Sequence, residues 1–214
     1  MIKGAIFDVD GTLLDSMYAW DSVCTDYLIG RGIEPREGLW ETFKTLSLAE
    51  AARYYQTEYN ISDDTQKIMD DINAIIERHY KFDVQPKKGV REFLELMKAR
   101  NIEMSVATAT DRHLIEYAFS RCALGGYFSE IFTCTSVGRG KDSSVIFDAA
   151  AKHMRTLPHQ TLVFEDALYA AVTAKKAGYV VIGVYDSHES RADELKKIAD
   201  RYITSFEEAG VLLD

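Results

Sequence analysis

Gly4-Ala5-Ile6-Phe7-Asp8-Val9-Asp10-Gly11-Thr12-Leu13-Leu14-Asp15 is the stretch on which the reading of this 214-residue chain turns. Ala5–Ile6–Phe7 is a short apolar run that stops at two acids and a glycine, the signature of a buried strand running into a turn. Successive residues of an extended chain point to opposite faces, so Asp8 and Asp10 go one way and Val9 the other. Two carboxylates held that close cannot both ionise cheaply without a cation or proton between them. Gly11 permits a sharp turn directly after them.

Working outward, four more apolar runs repeat the pattern: Ile102 to Ala107, Ile131 to Cys134, Thr161 to Phe164 and Val180 to Val184, with Tyr202–Ile203 as a last short edge. Helical patterns separate them, at Val90 to Ala99, His113 to Cys122, Ser143 to Met154 and Ala167 to Ala177. Nearly all-apolar strands alternating with amphipathic helices predict an α/β fold with a parallel sheet covered on both faces. The segment 16–83 differs. It has helical periodicity at Ala49–Tyr59 and Gln66–Tyr80, glycine and proline punctuation, and no good strand run. It reads as an all-helical insertion after the first strand, giving a core of residues 1–15 and 84–214 and a smaller unit of 16–83.

Composition narrows the partners. A formal net charge of -9 disfavours a nucleic-acid backbone as ligand. No apolar stretch approaches the ~18 residues of a membrane span. The N-terminus does not read as a signal peptide. Three cysteines without metal or redox spacing read as reduced thiols of a cytoplasmic protein. A monomer is expected. His79, His113, His153, His159 and His188 show no ligand spacing.

In an open α/β sheet, ligands bind beyond the carboxyl ends of the strands. The residues found there are Asp8 and Asp10 after the first run, Thr108 after the second, Lys141 after the third and Glu165–Asp166 after the fourth. Carboxylates in small number suit magnesium, which keeps several waters and accepts a substrate phosphate as a further ligand. The cation and Lys141 would let a carboxylate approach a phosphate dianion.

Asp8-Val9-Asp10-Gly11-Thr12-Leu13, Thr108, Lys141 and Glu165–Asp166, in this order and spacing, resemble the four motifs of the haloacid dehalogenase superfamily. The helical insertion is similar to the cap of the subfamily that contains phosphoglycolate phosphatases and β-phosphoglucomutase. The resemblance implies a magnesium-dependent phosphatase acting on small phosphorylated metabolites. Asp8 would be the nucleophile forming an aspartyl-phosphate, and Asp10 the general acid and base. Thr108, Ala109 and Lys141 would hold the phosphoryl group, with Lys44 near the substrate-reading loop of the insertion. The metal would be held by Asp8, the Asp10 carbonyl and Asp166, with Glu165 ligating directly or through water.

The chain also departs from that pattern. Asp142–Ser143–Ser144 follow Lys141 where relatives carry a proline-containing stretch, so Asp142 or Ser143 is expected to cap the next helix. Ala167 stands where relatives often have a hydroxyl, which predicts a lost hydrogen bond. Asp15, just before Ser16, reads as an N-cap of the insertion's first helix at least as well as a catalytic acid. Asp10 argues against a dehalogenase, since a halide leaves without a proton. A phosphonatase would need an insertion lysine, for which only Lys44 is near. The rivals that stay open are a sugar phosphomutase and a non-catalytic binding module. Against the mutase, Trp20 and Leu48 occupy the places where β-phosphoglucomutase has a histidine and an arginine.

Overall fold

In the computed structural model, residues 1–43, 46 and 48–213 are described, with only the backbone of Trp40 and Glu41. Strand β1 (Gly4–Phe7) is buried along its whole length. The turn after it is pinned by hydrogen bonds from Leu14 N–H to Val9 C=O and from Gly11 N–H to Leu14 C=O. Gly11 takes φ 76°, a left-handed value that a side chain would strain. A two-residue strand β2 (Leu14–Asp15) follows, so Asp15 is strand and not a helix cap. Ser16 takes the N-cap position instead, though its side chain does not cap the first turn of the helix.

Helices α1 (Met17–Ile29), α2 (Leu39–Phe43), α3 (Leu48–Glu58) and α4 (Thr65–Phe82) come next. They form a compact unit of residues 16–83 with its own apolar core. The core is built from Cys24, Tyr27 and Leu28 of α1, Ala52 and Tyr55 of α3, and Ile68 and Ile72 of α4. The Tyr55 hydroxyl is buried and donates to the Cys24 carbonyl at 2.6 Å. Asp64 caps α4 by accepting from Lys67 N–H.

The chain then runs through β3 (Gln85–Pro86), α5 (Val90–Ala99), β4 (Glu103–Thr108), α6 (Arg112–Arg121), β5 (Ile131–Thr133), α7 (Cys134–Val137) and α8 (Val145–His153). It ends with β6 (Thr161–Glu165), α9 (Leu168–Lys176), β7 (Val180–Val184), α10 (Ala192–Ile198) and β8 (Arg201–Ile203). Residues 1–15 and 84–213 belong to the second unit. Six strands form one parallel sheet in the order β5-β4-β1-β6-β7-β8. β2 and β3 pair antiparallel, so the entry to and return from the helical unit run side by side.

The strand order follows from burial. β1, β4 and β6 are buried almost throughout and take the centre, while the shorter β5 and β8 form the edges. On one face Phe7 stacks on Phe164 with centroids 4.5 Å apart and meets Phe93 edge-on. The other face packs Ile6 and Val163 with Phe147, Ala150, Ala170 and Ala174 of α8 and α9. The chain leaves β1 toward β4 and β5 on one side and later fills β6, β7 and β8 on the other. That reversal puts the switch point of the sheet at β1, where α/β folds bind ligands. No helix among the described residues is long and apolar enough to cross a membrane. The three cysteines are free thiols.

Candidate active site

The turn following β1 lies beside the ends of β4 and β6, and the three deliver their polar residues to one sheet edge. Asp8 continues the pairing, its N–H donating to the Phe164 carbonyl at 3.0 Å. Asp8, Glu165 and Asp166 are each buried, and one carboxylate oxygen from each lies within 4.8 Å of the others. The Lys141 ammonium, also buried, donates to Asp8 Oδ1 and, at 2.5 Å, to Glu165 Oε1.

Three buried carboxylates therefore face one ammonium, and the ionisation of the group reflects it. Burial works against the Lys141 charge, but Asp8 and Glu165 outweigh it and raise its pKa. Burial pushes Glu165 up to about 7, Asp8 adding to the effect and Lys141 opposing it. Asp166 is held well above the usual carboxylate range by burial and by the charges of Asp8 and Glu165. Proteins rarely leave excess buried negative charge without a counter-ion. Oxygen donors of this number and charge fit a hard divalent cation.

Further hydrogen bonds fix the residues around the site. Thr12 Oγ1 donates to Asp166 Oδ1 at 3.0 Å. The Ala167 N–H donates to Glu165 Oε2 at 3.2 Å, so a backbone group supplies a bond although Ala167 lacks a hydroxyl. Thr108, fully buried at the end of β4, accepts from the Thr110 N–H at 3.1 Å. Thr110 Oγ1 in turn donates to Asp10 Oδ2 at 2.6 Å. Only the spacing Thr108–Ala109–Thr110 at a strand end could have flagged Thr110, and two threonines one residue apart are common in strands.

The expected residues reach the site in different ways. Asp8, Lys141, Glu165 and Asp166 meet directly. Asp10 and Thr108 are linked through Thr110, and Ala109 is exposed between the two threonines. Lys44 lies outside the described residues. The expected cap from Asp142 or Ser143 does not form: α8 starts two residues later, at Val145, with Ser144 as N-cap. The Ser144 hydroxyl is bonded to the Asp148 carboxylate, one helical turn on, and makes no N-cap bond. Lys141 keeps its place through its two carboxylate partners, with no proline needed.

The family model for haloacid dehalogenase-like hydrolases matches residues 5–184, a span holding every one of these groups. The chain belongs to this family. Among curated relatives of this haloacid dehalogenase-like hydrolase is the validoxylamine A 7'-phosphate phosphatase of Streptomyces hygroscopicus subsp. limoneus. It is 23% identical over 196 residues, covering 90% of each chain. The phosphorylated carbohydrates phosphatase of Thermotoga maritima is 25% identical over 190 residues, with 83% of this chain and 82% of that protein covered. Among solved structures, CbbY from Rhodobacter sphaeroides in complex with phosphate superposes with a TM-score of 0.77. Its sequence identity is 24%, and the match covers 98% of this chain and 99% of that one. The fold is thus shared across the full length.

Proposed function

We propose that this chain is a magnesium-dependent phosphatase that releases inorganic phosphate from small phosphorylated metabolites, sugar phosphates foremost, through an aspartyl-phosphate on Asp8. The observation that carries the reading is the buried trio Asp8, Glu165 and Asp166 at the switch point of the sheet, with Lys141 bridging the first two. The names of the relatives, phosphatases of phosphorylated carbohydrates among them, support the substrate class.

Magnesium, held by Asp8 and Asp166 with the Asp10 carbonyl and with Glu165 directly or through water, would shield the phosphate's negative charge from the carboxylates. In the first half-reaction an Asp8 oxygen forms a bond to phosphorus. The bond from phosphorus to the ester oxygen breaks, and that oxygen takes its electron pair together with a proton from Asp10. In the second, a water oxygen bonds to phosphorus and gives a proton to the Asp10 carboxylate. The bond to Asp8 breaks, its electron pair returns to Asp8, and inorganic phosphate departs. Lys141 and Thr108 stabilise the transferring phosphoryl oxygens. The choice of substrate is assigned to the helical unit 16–83, with Lys44 the residue put forward there.

Metal dependence is checked by removal. Excess chelator should abolish phosphate release and magnesium should restore it, while calcium should inhibit because its looser coordination spoils in-line alignment. The metal-free protein should also gain thermal stability on adding magnesium, as any ligand of the native state confers. Undiminished turnover in chelator contradicts the metal assignment.

Hydrolase and mutase separate on the fate of the phosphoryl group. Trp20 is committed inside its own unit, its indole N–H donating to the Tyr80 hydroxyl at 3.1 Å, and Leu48 opens α3 against the apolar core of that unit. Neither side chain can donate a proton to a carboxylate or clamp a second phosphate as a histidine or arginine would. Incubation with β-glucose 1-phosphate and a bisphosphate primer, followed by NMR of the sugar, should show inorganic phosphate and no isomer. Glucose 6-phosphate forming faster than phosphate would overturn the hydrolase in favour of the mutase.

A further inference from the structure

We infer that Thr110 is a positioning residue for proton transfer, holding the Asp10 carboxylate in the orientation from which it protonates the leaving oxygen. The inference rests on the phosphatase reading above and adds a residue to it. Thr110 is buried, at 8% exposure, yet its hydroxyl is spent on a partly exposed acid from a different element. The 2.6 Å separation is that of a well-formed O–H···O hydrogen bond. The same residue donates its backbone N–H to the Thr108 hydroxyl. The loop after β4 is thereby tied at one residue to the group that meets the phosphoryl oxygens and to the acid that meets the leaving group.

A carboxylate turns as a rigid plane about its Cβ–Cγ bond, so fixing Oδ2 also fixes Oδ1. Threonine suits this task better than serine, because its β-branch limits the χ1 choices of the hydroxyl. The position of Asp10 itself is set by the turn, where Asp10 bridges to Leu14 and Gly11 closes the bend. Backbone placement by the turn and side-chain placement by Thr110 together give the fixed geometry that general acid catalysis requires.

Leaving groups that differ in their need for a proton test this. kcat/KM reports the step in which the ester bond breaks, and p-nitrophenolate departs without a proton whereas a sugar alkoxide does not. Thr110→Val should lower kcat/KM for a sugar phosphate by about 10–100-fold, and that for p-nitrophenyl phosphate by less than about 3-fold. The loss should lie in kcat with KM nearly unchanged, and Thr110→Ser should recover most of it. Thr110→Ala, which cannot clash, gives the same comparison if the valine variant fails to fold. Asp10→Asn is the companion measurement and should show the same split, larger. Equal losses on both esters in the Thr110 variants, with a split in Asp10→Asn, overturn the Thr110 assignment and leave the mechanism standing. No split in Asp10→Asn overturns the acid role of Asp10, and the Thr110 assignment with it. Failure of the wild-type protein to release phosphate from either ester overturns both at once.

Discussion

Asp8→Asn is expected to reduce phosphate-ester turnover by about 10⁴-fold or more while leaving the protein folded. The amide is nearly the size of the carboxylate, and its oxygen can still accept from Lys141, so packing at the end of β1 is preserved. What disappears is the charged oxygen that the proposed mechanism uses to attack phosphorus. The substitution also takes one negative charge from a crowded group in which Asp8 pushes up the ionisation of both Glu165 and Asp166. Metal-free Asp8→Asn should therefore melt no lower than the wild type and bind magnesium more weakly. Phosphate release and thermal unfolding on the same preparation check both statements. Activity within tenfold of wild type in a folded Asp8→Asn sample would remove the aspartyl-phosphate from the mechanism.

Lys141→Met carries the opposite signature, a loss of activity together with a loss of stability. The lysine is the shared partner of Asp8 and Glu165, and both its ion pairs are buried. Removing one member of a buried ionic group leaves uncompensated charge, at a cost of about 3–5 kcal/mol. Turnover should fall by at least about 10²-fold from the loss of charge stabilisation on the phosphoryl oxygens.

The stability defect should depend on pH in a definite direction. Glu165 already titrates near 7 in the folded state against an ordinary value of 4.5, and losing Lys141 raises it further. The folded protein then holds a proton that the unfolded chain releases, so its stability falls as pH rises from about 4.5 through 7 and beyond. Chemical denaturation of metal-free Lys141→Met at pH 5 and pH 8 should show the larger deficit at pH 8. A deficit that is equal or larger at pH 5 would mean that the lysine acts through packing and not through charge.

The sequence was most legible where chemistry and periodicity coincide. Strand ends marked by Asp8, Thr108 and Glu165 were readable because a buried strand stays apolar until it emerges at the sheet edge, where polar side chains can meet a ligand. Helix α5 matched its apolar spacing at both ends. Local signals near Lys141 misled, since hydroxyls and acids before a helix suggest a cap whether or not the backbone turns to receive it. Asp15 misled in the same way, its strand being fixed by pairing with Gln85 across the whole insertion. Thr12 stood inside the first motif without a role and Thr110 was not singled out, because their hydrogen bonds go to partners 154 and 100 positions away. The shape of short loops decides such contacts, and side-chain period carries no information about it.

The central place of β1 bears on how the chain is made. Its two neighbours, β4 and β6, pair with it from roughly 100 and 160 residues downstream. At ordinary rates of synthesis the strand bearing Asp8 waits roughly 5–30 seconds for its partners to leave the ribosome. The helical unit, whose apolar core is built from its own residues, can be complete before then. Asp8 is thus made early, and the buried carboxylate cluster is assembled only once the segment carrying Glu165 and Asp166 has emerged.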